Sequence, residues 1–301
     1  MSSLRPQVEE ANNSALALLI LSSVLWGGSF VSVKIGLEYI DAYDFAFLRL
    51  ASAALILLLV LGIQRRFELT ALSALKEPTI WALGVLNGVG FTLQFVGLLY
   101  TTAAKTALLV DLNVVAIAIL SWKAFGESFG VRKKLGVILG VIGAALITTN
   151  GDLSTLAHGE LIGDILVFVA GLVWAVFIVF HKRLLIRDQR NVIELSTTVL
   201  LATAICLLPA ALILGGLNLH TIAAQGWEWV GISAIVCTVL PYSLWVAGLK
   251  GVTATIASVV GMLEVVCAMI LSTLLLGESY TTVTLLGAIL ILISILAVAE
   301  S

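Results

Sequence analysis

Long apolar runs separated by short polar connections fill almost the whole 301-residue sequence. A run of about 20 apolar residues can cross the roughly 30 Å hydrocarbon core of a bilayer as a helix. A membrane β-barrel would instead show segments of about ten residues with alternating polarity. The composition agrees with helices in lipid, because 60% of the residues are hydrophobic and only 11% are charged. The sequence therefore predicts an all-α integral membrane protein.

We count ten such runs and predict ten transmembrane helices. The first run is too long for a signal-peptide core and leads straight into further spans, so we expect it to be retained. The predicted spans, with boundaries good to roughly two to four residues, are 14–34, 43–63, 79–100, 102–122, 132–149, 161–181, 192–214, 228–248, 252–274 and 281–299.

The positive charges between the spans are distributed unevenly. If the N-terminus is cytoplasmic, thirteen lysines and arginines fall on that side and only Lys34 and Lys105 fall on the other. Cytoplasmic loops carry an excess of these residues, so we predict a multi-pass protein with both termini in the cytoplasm. The thirteen are Arg5, Arg65, Arg66, Lys76, Lys123, Arg132, Lys133, Lys134, Lys182, Arg183, Arg187, Arg190 and Lys250.

The chain also repeats itself. GESFGVRKKLGVILG (126–140) returns as GESYTTVTLLGAILI (277–291), about 151 residues later, and DLNVVAIAILSWKAFGES (111–128) aligns without gaps on MLEVVCAMILSTLLLGES (262–279). A slightly smaller offset aligns Trp26 with Trp174. Each repeat therefore covers five spans.

Because five is an odd number, the second repeat must enter the membrane from the opposite face. This explains why the second GES phrase, predicted on the outer side, loses the lysines of the first. We expect a cytoplasmic tail at 1–13, a first repeat at 14–149, an outer linker at 150–160 and a second repeat at 161–299. Inverted repeats are typical of transporters, which offer one central site to each side in turn.

Three segments resemble a known family, the EamA-like branch of the drug/metabolite transporter superfamily. They are SSVLWGGSF (22–30), FAFLRLASA (45–53) and the GES ends of helices four and nine, together with the pair Leu263 and Glu264. The sequence is most similar to bacterial YddG-type exporters of amino acids, aromatic ones included. The resemblance implies two EamA repeats in a basket-like bundle around a central cavity, with no covalent chemistry. Val265 stands where many members carry proline, so the resemblance does not extend to a proline break there.

A central site should use equivalent positions of both repeats. Polar and aromatic residues on one face of helix three match others on one face of helix eight, and Trp26 and Trp174 lie at equivalent mid-span positions. Helix-tying hydrogen bonds, lipid contact and an interfacial aromatic belt are the alternatives. The predicted cavity residues are Trp26, Asn87, Phe91, Gln94, Trp174, Thr238, Tyr242 and Trp245.

Ionisable residues inside a membrane are functional candidates, since each costs roughly 2.5–3.5 kcal/mol near a helix centre. Glu264 and its repeat partner Asn113 are candidates for proton coupling or for tying helices together. Asp111 is a weaker candidate of the same kind. For Arg49 we expect snorkelling, or pairing with Asp41 or Asp44.

The motif content favours transport over other functions. The sequence contains no HExxH or GxSxG motif, no cysteine and histidine cluster with metal spacing and no phosphate-binding loop, so we predict no catalytic residue, no metal and no cofactor. The expected partners are the lipid bilayer and a small molecule, with no nucleic acid. We expect export of amino acids across the bacterial inner membrane, with a multidrug or other metabolite exporter as the alternative.

Overall fold

The computed structural model describes residues 12–63, 74–100, 106, 109–126, 130–149, 151–152, 154, 161–187, 191–276 and 281–299. Several predictions fall outside these ranges. They concern most of the N-terminal tail and the 150–160 linker, the glutamate and serine of both GES phrases, and the charges Arg5, Arg65, Arg66, Lys105 and Arg190.

The described residues are almost entirely helical. The helices are α1 (Asn13–Gly36), α2 (Ala42–Ile63), α3 (Pro78–Tyr100), α4 (Asn113–Phe125), α5 (Val131–Thr149), α6 (Leu161–Arg187), α7 (Val192–Gly215), α8 (Ala224–Lys250), α9 in two parts (Ala254–Gly261 and Leu263–Leu276) and α10 (Thr282–Ala299).

Each of the ten predicted spans overlaps one of these helices. Seven segments within the described ranges are long and apolar enough to cross a membrane. They are the helices α1, α2, α3, α6, α7 and α8, and the segment Ala254–Leu271, which covers most of α9. Helix α4 is short as described, α5 begins with the charged residues of VRKK, and α10 contributes a shorter apolar segment, Thr282–Ala297. The described residues thus form a helical bundle with seven segments able to span a membrane by length and composition, while the full count of ten spans stays a prediction.

The main helix contacts join one repeat to the other. Helix α1 packs on α8 and α9, and its counterpart α6 packs on α3 and α4; α2 packs on α7, and α5 packs on α10. If each helix is replaced by the equivalent helix of the other repeat, the same set of contacting pairs results. The bundle is therefore built from cross-repeat pairs related by a two-fold exchange.

Glycines allow a close approach in two repeat-equivalent helix pairs, α3 with α6 and α8 with α1. A Cβ on Gly97 of α3 would lie 2.6 Å from Val167 and 3.1 Å from the Gly163 carbonyl of α6. A Cβ on Gly248 of α8 would lie 2.7 Å from Leu19 and 2.9 Å from the Ala15 carbonyl of α1. The repeat offsets map each contact onto the other, so small residues allow the same close backbone approach in both halves.

Three irregularities occur near the middle of the bundle. The helical hydrogen bonding is interrupted at Leu112, before α4, and at Met262, between the two parts of α9. These are nearly equivalent positions, and α9 breaks there although Val265, three residues later, is not a proline. Helix α8 contains a π-helical turn, Ile235–Val239, which ends two residues before Pro241. Such departures from regular helix need other groups to satisfy the freed backbone.

Candidate binding cavity

A cavity of about 150 Å³ lies among α1, α2, α3, α6, α8 and the broken regions of α4 and α9. Cavities of about this volume hold benzene in other protein interiors. All ten residues selected from the sequence line it, namely Trp26, Asn87, Phe91, Gln94, Asn113, Trp174, Thr238, Tyr242, Trp245 and Glu264. The structure therefore brings the candidates together around one space, with both repeats contributing to the wall.

Aromatic rings form much of that wall. The rings of Phe91 and Trp174 meet edge to face with centroids 5.2 Å apart. On the α1 and α8 side, the rings of Trp26 and Trp245 are tilted with centroids 5.3 Å apart. Trp245 is therefore packed inside the bundle, 4% exposed, rather than in an interfacial belt. Tilted and edge-to-face pairs are the favourable arrangements for aromatic side chains.

Asn87 joins three helices beside the cavity. Its Oδ1 accepts a hydrogen bond from Trp174 Nε1 at 3.2 Å, and its Nδ2 donates to Thr203 Oγ1 at 3.2 Å. Thr203 in turn donates to the Val199 carbonyl. Asn87 thus lines the cavity and also ties α3 to α6 and α7, which combines the cavity role and the helix-tying role that the sequence left as alternatives.

Arg49 departs from its prediction. Its side chain is 2% exposed and lines the cavity instead of snorkelling or pairing with Asp41 or Asp44. Nε donates to Thr238 Oγ1 at 2.7 Å and Nη2 donates to the Cys237 carbonyl at 2.8 Å. The snorkelling prediction is wrong because α8 supplies polar acceptors within reach of α2.

Those acceptors follow from the local sequence of α8. In a regular helix the Cys237 carbonyl would accept from the backbone N–H of Pro241, but proline has no N–H. The chain passes this point in a π-helical turn, and Arg49 donates to the carbonyl instead. Thr238 Oγ1 donates to the Ser233 carbonyl while it accepts from Arg49. Pro241 therefore creates the polar pocket that holds the arginine.

Two carboxyl groups meet at the helix breaks. Glu264, in the first turn of the second part of α9, and Asp111 lie close enough for their carboxyl groups to interact, and both line the cavity. Two neighbouring buried carboxylates repel each other when both are ionised, so this pair is suited to hold one proton. The sequence paired Glu264 with Asn113 and ranked Asp111 lower. The break at Leu112 lies between Asp111 and Asn113, and it places Asp111 beside Glu264.

Three other polar side chains at the cavity have no hydrogen-bond partner among the described residues. The side-chain amides of Gln94 and Asn113 make no hydrogen bond with any described residue, and the Tyr242 hydroxyl is buried without a partner among them. His181, the last residue of the predicted sixth span, is fully buried in α6, where its ring stacks on Tyr242 with centroids 6.0 Å apart. Across the described ranges, no three histidine, cysteine, aspartate or glutamate side chains gather as a metal site would require.

Comparison with known proteins gives a consistent family. A model described as the EamA-like transporter family matches residues 13–149 and again 161–299. An uncharacterized transporter of Archaeoglobus fulgidus is 28% identical over 279 residues, which cover 93% of this chain and 95% of the relative. A protein named "Probable amino-acid metabolite efflux pump" of Escherichia coli K12 is 25% identical over 302 residues, which cover 93% and 92% of the two chains.

A solved structure described only as a crystal structure of a protein shares the fold. It covers 95% of this chain and 97% of its own, with a TM-score of 0.77 and 16% sequence identity. At that identity the match speaks for the fold alone.

Proposed function

The chain belongs to the EamA-like transporter family, and on this premise we propose that it exports neutral amino acids, aromatic ones included, across the bacterial inner membrane by alternating access. The observation that carries the proposal is the central cavity, whose wall takes aromatic and polar side chains from equivalent positions of both repeats. Aromatic rings offer flat apolar surface to a side chain, while amide, hydroxyl and charged groups suit an amino-acid head group.

The two-fold exchange of helix pairs supports the alternating-access part of the proposal. A site built equally by both halves can open to either side by rocking one half against the other. This requires ten spans, with the second repeat inverted and both termini in the cytoplasm. The uneven distribution of lysine and arginine supports that orientation.

Proton coupling is the second part of the proposal. Asp111 and Glu264 both line the cavity, where the pair would hold one proton and a substrate ammonium group would compete for the same carboxylates. Binding of one cation at the pair would release the other, which is the requirement for proton antiport. A multidrug or other metabolite exporter with the same coupling is the alternative, because the aromatic wall also suits other flat cations.

Exchange in proteoliposomes tests the cargo. Vesicles loaded with unlabelled phenylalanine or threonine should take up the labelled amino acid saturably, without a pH gradient. Protein-free vesicles, and vesicles loaded with a sugar, are the controls. If neither amino acid exchanges while an aromatic cation does, the amino-acid proposal is wrong and the multidrug alternative replaces it.

The same vesicles test coupling through Glu264→Gln. The glutamine keeps the size of the side chain and removes its titration, so we expect exchange to persist while acceleration by an imposed pH gradient disappears. Asn113→Ala is the control, since it changes the repeat partner of Glu264 without removing a carboxyl group. An unchanged response to the gradient in Glu264→Gln would show that this residue does not couple protons.

A further inference from the structure

Arg49 carries a charge that no described residue neutralises. The guanidinium is buried within the bundle, and no carboxylate of the described residues pairs with it. Its two hydrogen-bond acceptors, Thr238 Oγ1 and the Cys237 carbonyl, are both neutral. Buried charges in proteins are normally paired, because an isolated charge in a low-dielectric interior is costly. An anion that enters the cavity would supply the missing partner.

Hydrogen bonds to α8 hold Arg49 in place, but they engage only some of its donors. Two of its five N–H groups serve as anchors to α8, so three remain for another acceptor. The guanidinium carbon lies 5.5 Å from the ring centre of Phe91 and 5.9 Å from that of Phe95, which adds favourable contact to the cation. A long flexible side chain is thereby held in one position beside the cavity, which lowers the entropic cost of binding.

We infer that Arg49 binds the carboxylate of the transported molecule. A planar guanidinium with free N–H groups matches a carboxylate in charge and in shape. The acidic pair Asp111 and Glu264 lines the same cavity. One cavity thus offers a cation for the carboxylate and acidic groups for the ammonium, a combination that selects zwitterions over simple cations or anions.

The inference rests on the proposed function, and a set of matched probes separates the two. L-phenylalanine carries both charged groups, 3-phenylpropanoate only the carboxylate, and phenethylamine only the ammonium. Binding of each to purified protein is measured by the change in tryptophan fluorescence, since Trp26, Trp174 and Trp245 line the cavity. Exchange of labelled phenylalanine is measured in parallel.

We expect Arg49→Gln to weaken binding of phenylalanine and 3-phenylpropanoate by about tenfold to a hundredfold, the loss typical of a charge-assisted hydrogen bond. Binding of phenethylamine should change by less than about twofold on the same scale. Arg49→Lys should give a smaller loss, because an ammonium group cannot form the paired contact. The matched control is Lys182→Gln, which removes another buried cation whose Nζ donates to the Leu249 carbonyl at 2.6 Å, away from the cavity.

Thr238→Val provides a second route if Arg49→Gln does not fold. It removes the acceptor of Arg49 Nε and keeps the charge, so carboxylate probes should bind more weakly while phenethylamine does not. Equal losses for all three probes, or no loss for the carboxylates, would overturn the inference while leaving phenylalanine exchange, and the proposed function, intact. If 3-phenylpropanoate binds in an Arg49-dependent way but phenylalanine does not exchange, the inference stands and the proposed function is wrong. A wild-type protein that binds neither carboxylate would also overturn the inference.

Discussion

Trp26 and Trp174 occupy equivalent positions in the two repeats, yet their surroundings differ. Trp174 Nε1 donates to Asn87, and its ring meets Phe91 edge to face. Trp26 packs on Trp245, and its indole N–H makes no hydrogen bond with any described residue. Trp174 is thus a fixed part of the wall, whereas Trp26 keeps a donor free for a ligand. Equivalence in sequence places the side chains at the same depth but does not give them the same role.

The difference begins at one pair of repeat-equivalent positions, Gly90 in α3 and Pro241 in α8. A Cβ on Gly90 would lie 2.6 Å from Trp174 Nε1, so the absent side chain is what lets the indole lie over α3. Pro241 instead frees a carbonyl for Arg49, and its own carbonyl accepts from Ser22 of α1 at 2.8 Å. In the first repeat this position makes room for the Trp174 ring, and in the second it provides an acceptor for the charged side chain of Arg49.

Replacing the tryptophans one at a time should separate the two roles most strongly. Trp174→Ala removes a packed ring and leaves the Asn87 oxygen unpaired, so we expect the free energy of unfolding to fall by about 3 kcal/mol. Trp26→Ala also removes a half-buried ring and one aromatic pair but breaks no hydrogen bond with a described residue, so we expect a smaller fall, about 2 kcal/mol, together with a larger reduction in the exchange of aromatic substrates. Denaturant unfolding in detergent and vesicle exchange measure the two effects. If both variants transport normally, the aromatic cavity is not the site.

Gly90→Ala should have an intermediate effect, because its methyl group would push the Trp174 indole away from Asn87. We expect a loss of about 2 kcal/mol, within the range for overpacking, together with slower exchange. Gly88→Ala on the same helix is the control, since its nearest neighbour would be Leu207 at 3.6 Å, an ordinary contact. Comparable melting temperatures for the two variants would show that Gly90 does not position the tryptophan.

The repeat made much of this arrangement predictable. Helices of the right length and the set of cavity residues follow from hydrophobic runs and from equivalent positions such as Asn87 with Thr238 and Phe91 with Tyr242. These signals depend only on spacing along the chain, which a helix converts directly into a face. The GES phrases, which first indicate the repeat, lie mostly outside the described residues.

The charged part of the cavity was less predictable, because it depends on breaks in regular helix. The inward position of Arg49 needs the acceptor freed by Pro241, a signal present in the sequence as a proline four residues after Cys237. The pairing of Asp111 with Glu264 needs the break at Leu112, for which the sequence offers no proline or glycine. Spacing rules assume a continuous helix, so they fail at the positions where the backbone departs from one.

Asn87→Leu should give the smallest effect. It tests whether hydrogen bonding or packing holds Trp174 in place. The leucine removes the hydrogen bonds to Trp174 and Thr203, but Thr203 keeps its bond to the Val199 carbonyl at 2.7 Å. Hydrogen bonds between membrane helices contribute about 0.6 kcal/mol each on average, so we expect a loss near 1 kcal/mol. Thr203→Val, the control, removes the bond to Asn87 and the hydroxyl's own bond to the Val199 carbonyl within α7, but it leaves the bond between Asn87 and Trp174 in place. We expect it to lose less than Asn87→Leu, because a hydroxyl that bonds back to its own helix contributes little to stability. If Asn87→Leu costs no more than Thr203→Val, packing over Gly90 alone holds Trp174, and the difference between the two tryptophans comes from shape rather than from hydrogen bonding.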